Sequence, residues 1–424
     1  MMIVLILTIF ILSFVFIAFE HQIKISKTAT ALVAGVLIWT VFILHIPEKE
    51  WVIERLSEQM GEVSGILFFL LGAMTIVEVI DAHNGFQILT DKIRVSSKKK
   101  LFWMVLFITF FLSAILDNLT TTIIMVSLCR KLIAEKTQRL YFCGMVVLAA
   151  NSGGAWSPLG DVTTTMLWIG GQISTFNIMR ELIIPSLISI IVPAAIIQFK
   201  IKTTEDQNEP VSSIIGSNHR DQSLILILGL LILGMVPFFK TATHLPPYMS
   251  ILLGLGLIWS ITEILHAKKD DHQRHALSVG RALQKIDTPS ILFFLGLLLS
   301  VGGLQQAGIL ASIATWSNEH IPNITLLAGF IGVLSAFIDN VPIVAAVQKM
   351  YPLTQYYQDH YFWNLVTYAS GIGGSMLIIG SAAGVAAMGL EKISFFWYLK
   401  NISWLALVGY LCGWIYYALI QTIC

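Results

Sequence analysis

The chain has 424 residues, 56% of them hydrophobic and 12% charged, with a formal net charge of +1. Soluble domains carry about 25% charged residues, so composition sets aside a soluble fold, and a balance so close to zero gives nucleic acid no electrostatic footprint. The four cysteines, Cys129, Cys143, Cys412 and Cys424, lie in or beside apolar segments without metal-ligand spacing and read as packing residues.

Apolar runs near 18 residues recur from end to end, each long enough to cross a hydrocarbon layer of roughly 30 Å. The first, "MMIVLILTIFILSFVFIAF", has neither a basic leader nor a small-residue cleavage site and is expected to be a retained helix. Simple spans are expected near 2–19, 29–46, 63–80, 182–199, 222–239, 248–265, 289–307 and 402–421. Lys92, Arg94, Lys98, Lys99 and Lys100 follow span 63–80, and the acidic "PEKEWVIERLSEQMGE" precedes it, so this span runs from outside to inside. Segment 101–134 begins and ends beside basic residues, and each half, of about 16 residues, is marginal for a full crossing. It reads as a re-entrant helical hairpin with Asp117-Asn118 at the tip; two tightly joined full spans are the alternative. Stretch 141–173 is apolar but carries "NSGGAWSPLGDVTTT", whose glycines and Pro158 would interrupt a helix.

The second half repeats this order. "ILFFL" stands at 66–70 and 291–295, "LSAILDN" at 112–118 and "LSAFIDN" at 334–340, and "SGGAWSPLG" and "IGGSMLIIG" share their glycine spacing at 152–160 and 372–380. Three ordered matches at offsets of 225, 222 and 220 indicate duplication. The basic loop 266–288 makes span 289–307 run outward, opposite to its counterpart, and repeats of inverted topology are a common secondary-transporter design. The expected fold is all-α and polytopic. A first repeat covers 1–199 (hairpin 101–134, broken helix 141–173), a cytoplasmic linker 200–221, and a second repeat 222–424 (hairpin 324–350, broken helix 362–390).

Broken backbone at membrane depth needs protein or a water-filled cavity over it. Freed carbonyls, hydroxyls and amide oxygens together make a hard oxygen shell suited to an alkali cation. Asp117, Asp161 and Asp339 sit in or beside these breaks, and an ionised Asp at a helix centre costs about 2.5–3.5 kcal/mol on insertion scales. No Lys or Arg is expected at membrane depth near any of the three, so simple charge pairing is not expected. A bound Na⁺ favours the ionised carboxylate and an empty site the protonated one, which is the minimal chemistry of antiport; an anionic substrate would be repelled. Thr120–Thr122 and Thr163–Thr165 either join the site or bond back to their own helix turns. Ser113 and Ser335, four residues before the tip aspartates, line the site or help helices pack. Glu78 is either a proton path or a solvated end residue, and Asp81 and His83 are expected at the membrane interface.

In "ILFFLLGAMTIVEVIDAHNGF", "LSAILDNLTTT", "NSGGAWSPLGDVTTTMLW" and "SAFIDN" the sequence resembles the NhaD-type sodium/proton antiporters of the ion transporter superfamily. More distantly it resembles that superfamily's dicarboxylate/sodium symporters, whose tips carry Ser-Asn-Thr where this chain has Asp-Asn. The resemblance covers most of the chain. It implies exchange of Na⁺ (or Li⁺) for H⁺ across a bacterial inner membrane, with no cofactor, the lipid bilayer as surroundings and a homodimer as a candidate assembly. It points to Asp117, Asn118, Asn151, Asp161, Thr163, Thr164, Ser335, Asp339 and Asn340, with Na⁺ at Asp117, Asn118, Asn151, Asp161, Asp339 and Asn340. Of the last broken helix, Ser370, Ser375 and Ser381 all qualify by spacing. The alternatives are a carrier of another ion or an organic acid and, remotely, an intramembrane aspartyl protease with two Asp sharing a proton.

Overall fold

The computed structural model describes residues 1–18, 20–88, 97–201, 219–267, 269–321, 323–337 and 339–423. Regular structure among them is entirely helical. In chain order the longer helices are α1 Met2–Ala18, α2 Lys27–His45, α3 Lys49–Ala82, α4 Lys98–Ser113, α5 Asn118–Leu132, α6 Lys136–Ala155, α7 Val162–Ile169 and α8 Thr175–Ile197. They continue with α9 His219–Thr243, α10 Pro247–His266, α11 Thr288–Gln306, α12 Ile309–His320, α13 Ile324–Phe337, α14 Asn340–Met350, α15 Tyr361–Gly373, α16 Ala382–Glu391 and α17 Trp404–Ile423. Among the described residues seven helical segments are long and apolar enough to cross a membrane. Most of the expected linker 200–221 lies outside the described residues, as do Lys92, Arg94 and Cys424.

Helix α3 is longer than the span read from sequence. The acidic stretch ahead of it continues as helix from Lys49, because beyond Pro47 Gly61 is its only breaker and Arg55 pairs with Glu58 at 2.5 Å along one face. At 1.5 Å per residue its 34 residues measure about 50 Å, well beyond a hydrocarbon core. Near its middle it is tied to α14 by Glu62–Lys349 at 2.5 Å.

The breaks fall where the glycine- and proline-containing stretches are. Helix α6 stops at Ala155 and α7 resumes at Val162; α15 stops at Gly373 and α16 resumes at Ala382. Helices α4 and α5 make one hairpin and α13 and α14 the other, each turning at an Asp. Packing across the molecule is reciprocal. α2 lies on α11 while α10 lies on α3; α5 lies on α16 while α14 lies on α7; α4 backs α6 as α13 backs α15. Two glycines make those last contacts close. A Cβ on Gly153 would strike the backbone carbonyl of Phe110, and one on Gly373 that of Gly332, so each hairpin rests on its broken helix backbone to backbone. Ser113 Oγ donates to Ala150 O (2.6 Å) and Ser335 Oγ to Ser370 O (2.9 Å) along the same two seams.

Candidate functional site

Four helices begin at the breaks, and each start is capped by its own side chain. Asp117 caps α5, Asp161 caps α7, Asp339 caps α14 and Ser381 caps α16. A helix start leaves N–H groups without intrahelical partners and carries the positive end of the macrodipole, so a carboxylate there is stabilised twice. Asp117 accepts from Thr120 N at 2.7 Å and Thr120 Oγ1 at 2.6 Å. Asp161 Oδ1 accepts from Thr163 N and Oγ1, both at 2.8 Å.

Asp161 is the centre of the polar cluster. Only 2% of it is exposed, whereas Asp117 and Asp339 are half-buried. Its Oδ2 accepts from Asn118 Nδ2 at 2.8 Å and from Asn340 Nδ2 at 3.3 Å. The tip asparagines of both hairpins therefore reach one carboxylate. Asn118 Nδ2 also donates to Asn151 Oδ1 at 3.0 Å, and Asn151 Nδ2 donates to Ser375 Oγ at 2.9 Å and Ser381 Oγ at 2.8 Å. The connected set is Asn118, Asn151, Asp161 and Thr163 from the first half with Asn340, Ser375 and Ser381 from the second.

The other candidates lie beside this set. Thr120 bonds to Asp117; Thr164 reaches Gly154 O at 3.4 Å; Thr165 donates to Pro158 O at 2.7 Å across the break. Ser370 Oγ donates to Val366 O in its own helix, and Ser335 to the Ser370 carbonyl. The hydroxyls of Thr121 and Thr122 are buried without a hydrogen-bond partner. Glu78 pairs with Lys285 at 3.1 Å on the wall of a cavity of about 330 Å³, which Asp81, Lys131 and Asp287 also line and which reaches Thr120 beside Asp117.

Several interactions are absent from the sequence reading. Charge pairing at the aspartates needs correction: the fold brings Lys27, at the start of α2, to 3.9 Å from Asp339 Oδ2. Three hundred residues of chain separate the two, and only the docking of α2 on α11 unites them. Glu391, at the end of α16, is buried between Arg139 (2.6 Å) and Arg130 (3.7 Å). His83, at the end of α3, is buried, with Nε2 2.8 Å from His266 Nε2.

Known proteins match this architecture over most of its length. The crystal structure of the Alcanivorax borkumensis YdaH transporter superposes with a TM-score of 0.59 over 90% of each chain at 12% identity, a likeness of fold alone. Sodium/proton antiporters 1 and 2 of Arabidopsis thaliana are 49% and 47% identical over 94% and 95% of this chain, spanning 69% and 96% of their own lengths. The Na⁺/H⁺ antiporter NhaD of Alkalimonas amylolytica is 31% identical over 96% of this chain and 88% of its own. The family described as citrate transporter, CitMHS, matches residues 14–363. These relatives are transporters and not enzymes, which removes the protease reading. The chain belongs to the CitMHS family of multi-pass membrane transporters, and within it to the NhaD type.

Proposed function

We propose that the protein exchanges Na⁺ (or Li⁺) for H⁺ by alternating access, in a bacterial inner membrane, with Asp161 as the carboxylate over which cation and proton compete. The observation that carries this is one fully buried carboxylate drawing its contacts from the tips of both hairpins. In the arrangement described, amide N–H groups of Asn118 and Asn340 satisfy Asp161 without a cation. An amide turned end for end offers oxygen in place of N–H, so the same residues can coordinate Na⁺ together with Asp161, Asn151 and the hydroxyls of Thr163, Ser375 and Ser381.

The helix starts bear on the sign of the substrate. Uncapped, four N-termini would favour an anion. Here Thr120 N, Thr163 N and Val341 N already donate to Asp117, Asp161 and Asp339, so an incoming carboxylate finds carboxylates instead of free donors. The relatives named sodium/proton antiporters support the same sign. The reciprocal packing of α2 on α11 and α10 on α3, and of α5 on α16 and α14 on α7, supports inverted repeats. On the orientation of the basic loops, the Glu78 cavity opens to the cytoplasm and gives Asp117 its access.

The test is dequenching of a pH-sensitive dye in acidified everted vesicles. Na⁺ or Li⁺ chloride should restore fluorescence and choline chloride should not. Recovery with sodium citrate and none with sodium chloride would reject the exchange and favour carriage of an organic acid. Direct competition further requires the Na⁺ half-saturation to rise up to tenfold per pH unit lost for each competing proton.

A further inference from the structure

We propose that Lys27 is a tethered competitor of the transported cation at Asp339, an inference that rests on the Na⁺/H⁺ exchange proposed above. The two hairpin tips differ three residues after the aspartate. Thr120 offers Asp117 both an N–H and a hydroxyl. The corresponding Pro342 has neither. Asp339 is left with a long cap from Val341 N (3.3 Å) to Oδ1, and Oδ2 faces the Lys27 ammonium at 3.9 Å.

Lys27 is held for this task. A cation in the first turn of a helix opposes the macrodipole, and a lysine near a membrane helix end normally extends toward the headgroups. Lys27 instead lies with Nζ 4.8 Å from the centre of the Phe293 ring, on the neighbouring α11. Its backbone N donates to Glu20 Oε1 at 3.0 Å, and Thr28 Oγ1 donates to Pro289 O at 3.0 Å, fixing the start of α2 on the start of α11. The ring face gives the ammonium a second attractive position beside the carboxylate.

An ammonium and a sodium ion are alternative monovalent partners for one carboxylate. When no Na⁺ is present, Lys27 compensates Asp339; a Na⁺ reaching the tip must displace it toward Phe293. The tether therefore weakens cation binding at this tip and leaves the carboxylate compensated when the ion leaves. Asp117 has a neutral cap from Thr120 and, among the described residues, no ion pair.

The experiment compares wild type, Lys27→Met, Lys27→Arg and Pro342→Thr in proteoliposomes, reading the Na⁺ half-saturation of proton movement at a pH above the optimum, where proton competition is least. Lys27→Met should lower the half-saturation about three- to fivefold, the range of a half-exposed ion pair. Lys27→Arg should keep the wild-type value. Pro342→Thr, which supplies a neutral cap, should move it in the direction of Lys27→Met, and it carries the test where Lys27→Met fails to fold. An unchanged or raised half-saturation in Lys27→Met or, failing that, in Pro342→Thr overturns the proposal. Absence of any Na⁺-driven proton movement in wild type overturns the exchange reading instead, and so separates the two failures.

Discussion

The seven residues ending in each Asp-Asn tip share five identities, yet the fold uses the two pairs unequally. The asparagines converge: Asn118 and Asn340 both donate to Asp161. The aspartates diverge, Asp117 onto the hydroxyl and N–H of Thr120 and Asp339 toward Lys27. The same inequality runs through the broken helices. The offset of 220 places Ser381 opposite Asp161 and Gly371 opposite Asn151, so the first half contributes the central carboxylate and the bridging amide and the second contributes hydroxyls. Two halves that pack reciprocally thus hold one asymmetric cluster instead of two equal ones.

Asp161→Asn should break the cluster most severely. The new amide keeps a capping oxygen for Thr163 N, but its Nδ2 faces the donors of Asn118 and Asn340. Asn118 and Asn340 can turn end for end to accept from it, but the cluster then has no ionisable carboxylate for Na⁺ and H⁺ to compete over, and exchange should fall to background. Dye dequenching, with detergent chromatography to confirm a folded protein, reads it. Near-normal exchange would move the ion site away from Asp161.

The two mirrored seams offer a second comparison. Where α5 and α6 meet α16, buried Glu391 is held by Arg139 and Arg130. Where α14 meets α7, Gln348 Nε2 donates to Met166 O at 3.3 Å. Arg139→Leu leaves a buried carboxylate with one exposed partner and should destabilise by about 3 kcal/mol. Gln348→Leu should cost about 1 kcal/mol. Denaturation of the purified protein distinguishes them; equal effects would mean that the ion pair adds nothing to the first seam.

Exchanging the tips sharpens the comparison further. Thr120→Pro gives Asp117 the surroundings of Asp339, removing an N–H and a hydroxyl together. The lost cap should lower stability by about 1–2 kcal/mol, and the Na⁺ half-saturation should change in the same variant if Asp117 takes part in cation entry. A stability loss with unchanged half-saturation would make Asp117 a capping residue alone.

How much of this was legible follows from what each feature depends on. The hairpins, the breaks and the short cluster list were readable because Gly, Pro and Asp-Asn in an apolar run are local signals with few physical outcomes. Which serines join Asn151 was not, because Ser375 and Ser381 lie in the break after α15 and only the path of the chain through it brings both to Asn151, while Ser370, inside α15, donates to its own Val366 carbonyl. Lys27, Arg139 and His266 were missed for another reason. Each stands at a helix end, where a charged or titratable residue ordinarily meets water, and only the packing of distant helices brings its partner to it.

The smallest expected effect tests that last kind of contact, at His83. Its Nδ1 lies 2.7 Å from Val79 O, so this nitrogen carries the proton and Nε2 accepts from His266 Nε2 at 2.8 Å. His266 Nδ1 is then a buried lone pair without a hydrogen-bond partner. The arrangement suits two neutral rings: a proton on His83 Nε2 would force His266 to place its own proton on Nδ1, where no acceptor waits. Burial accordingly holds His83 below the ordinary histidine value, while the nearby Lys269–Asp221 pair (2.9 Å) contributes opposed, smaller effects. The sign follows from linkage. Below about pH 6.5 the unfolded chain binds a proton at this position that the folded chain refuses, so stability declines as pH falls, with a slope of at most about 1.4 kcal/mol per pH unit for one proton. Above that pH the contribution is level. Thermal unfolding of wild type and His83→Gln between pH 7.5 and 5, in one detergent and at fixed ionic strength, should converge on the acid side, with the variant less stable near neutrality and flatter toward acid. Parallel curves would mean that the pair is already protonated in the fold, and that the junction of α3 with α10 is held by a shared charge instead of two neutral rings.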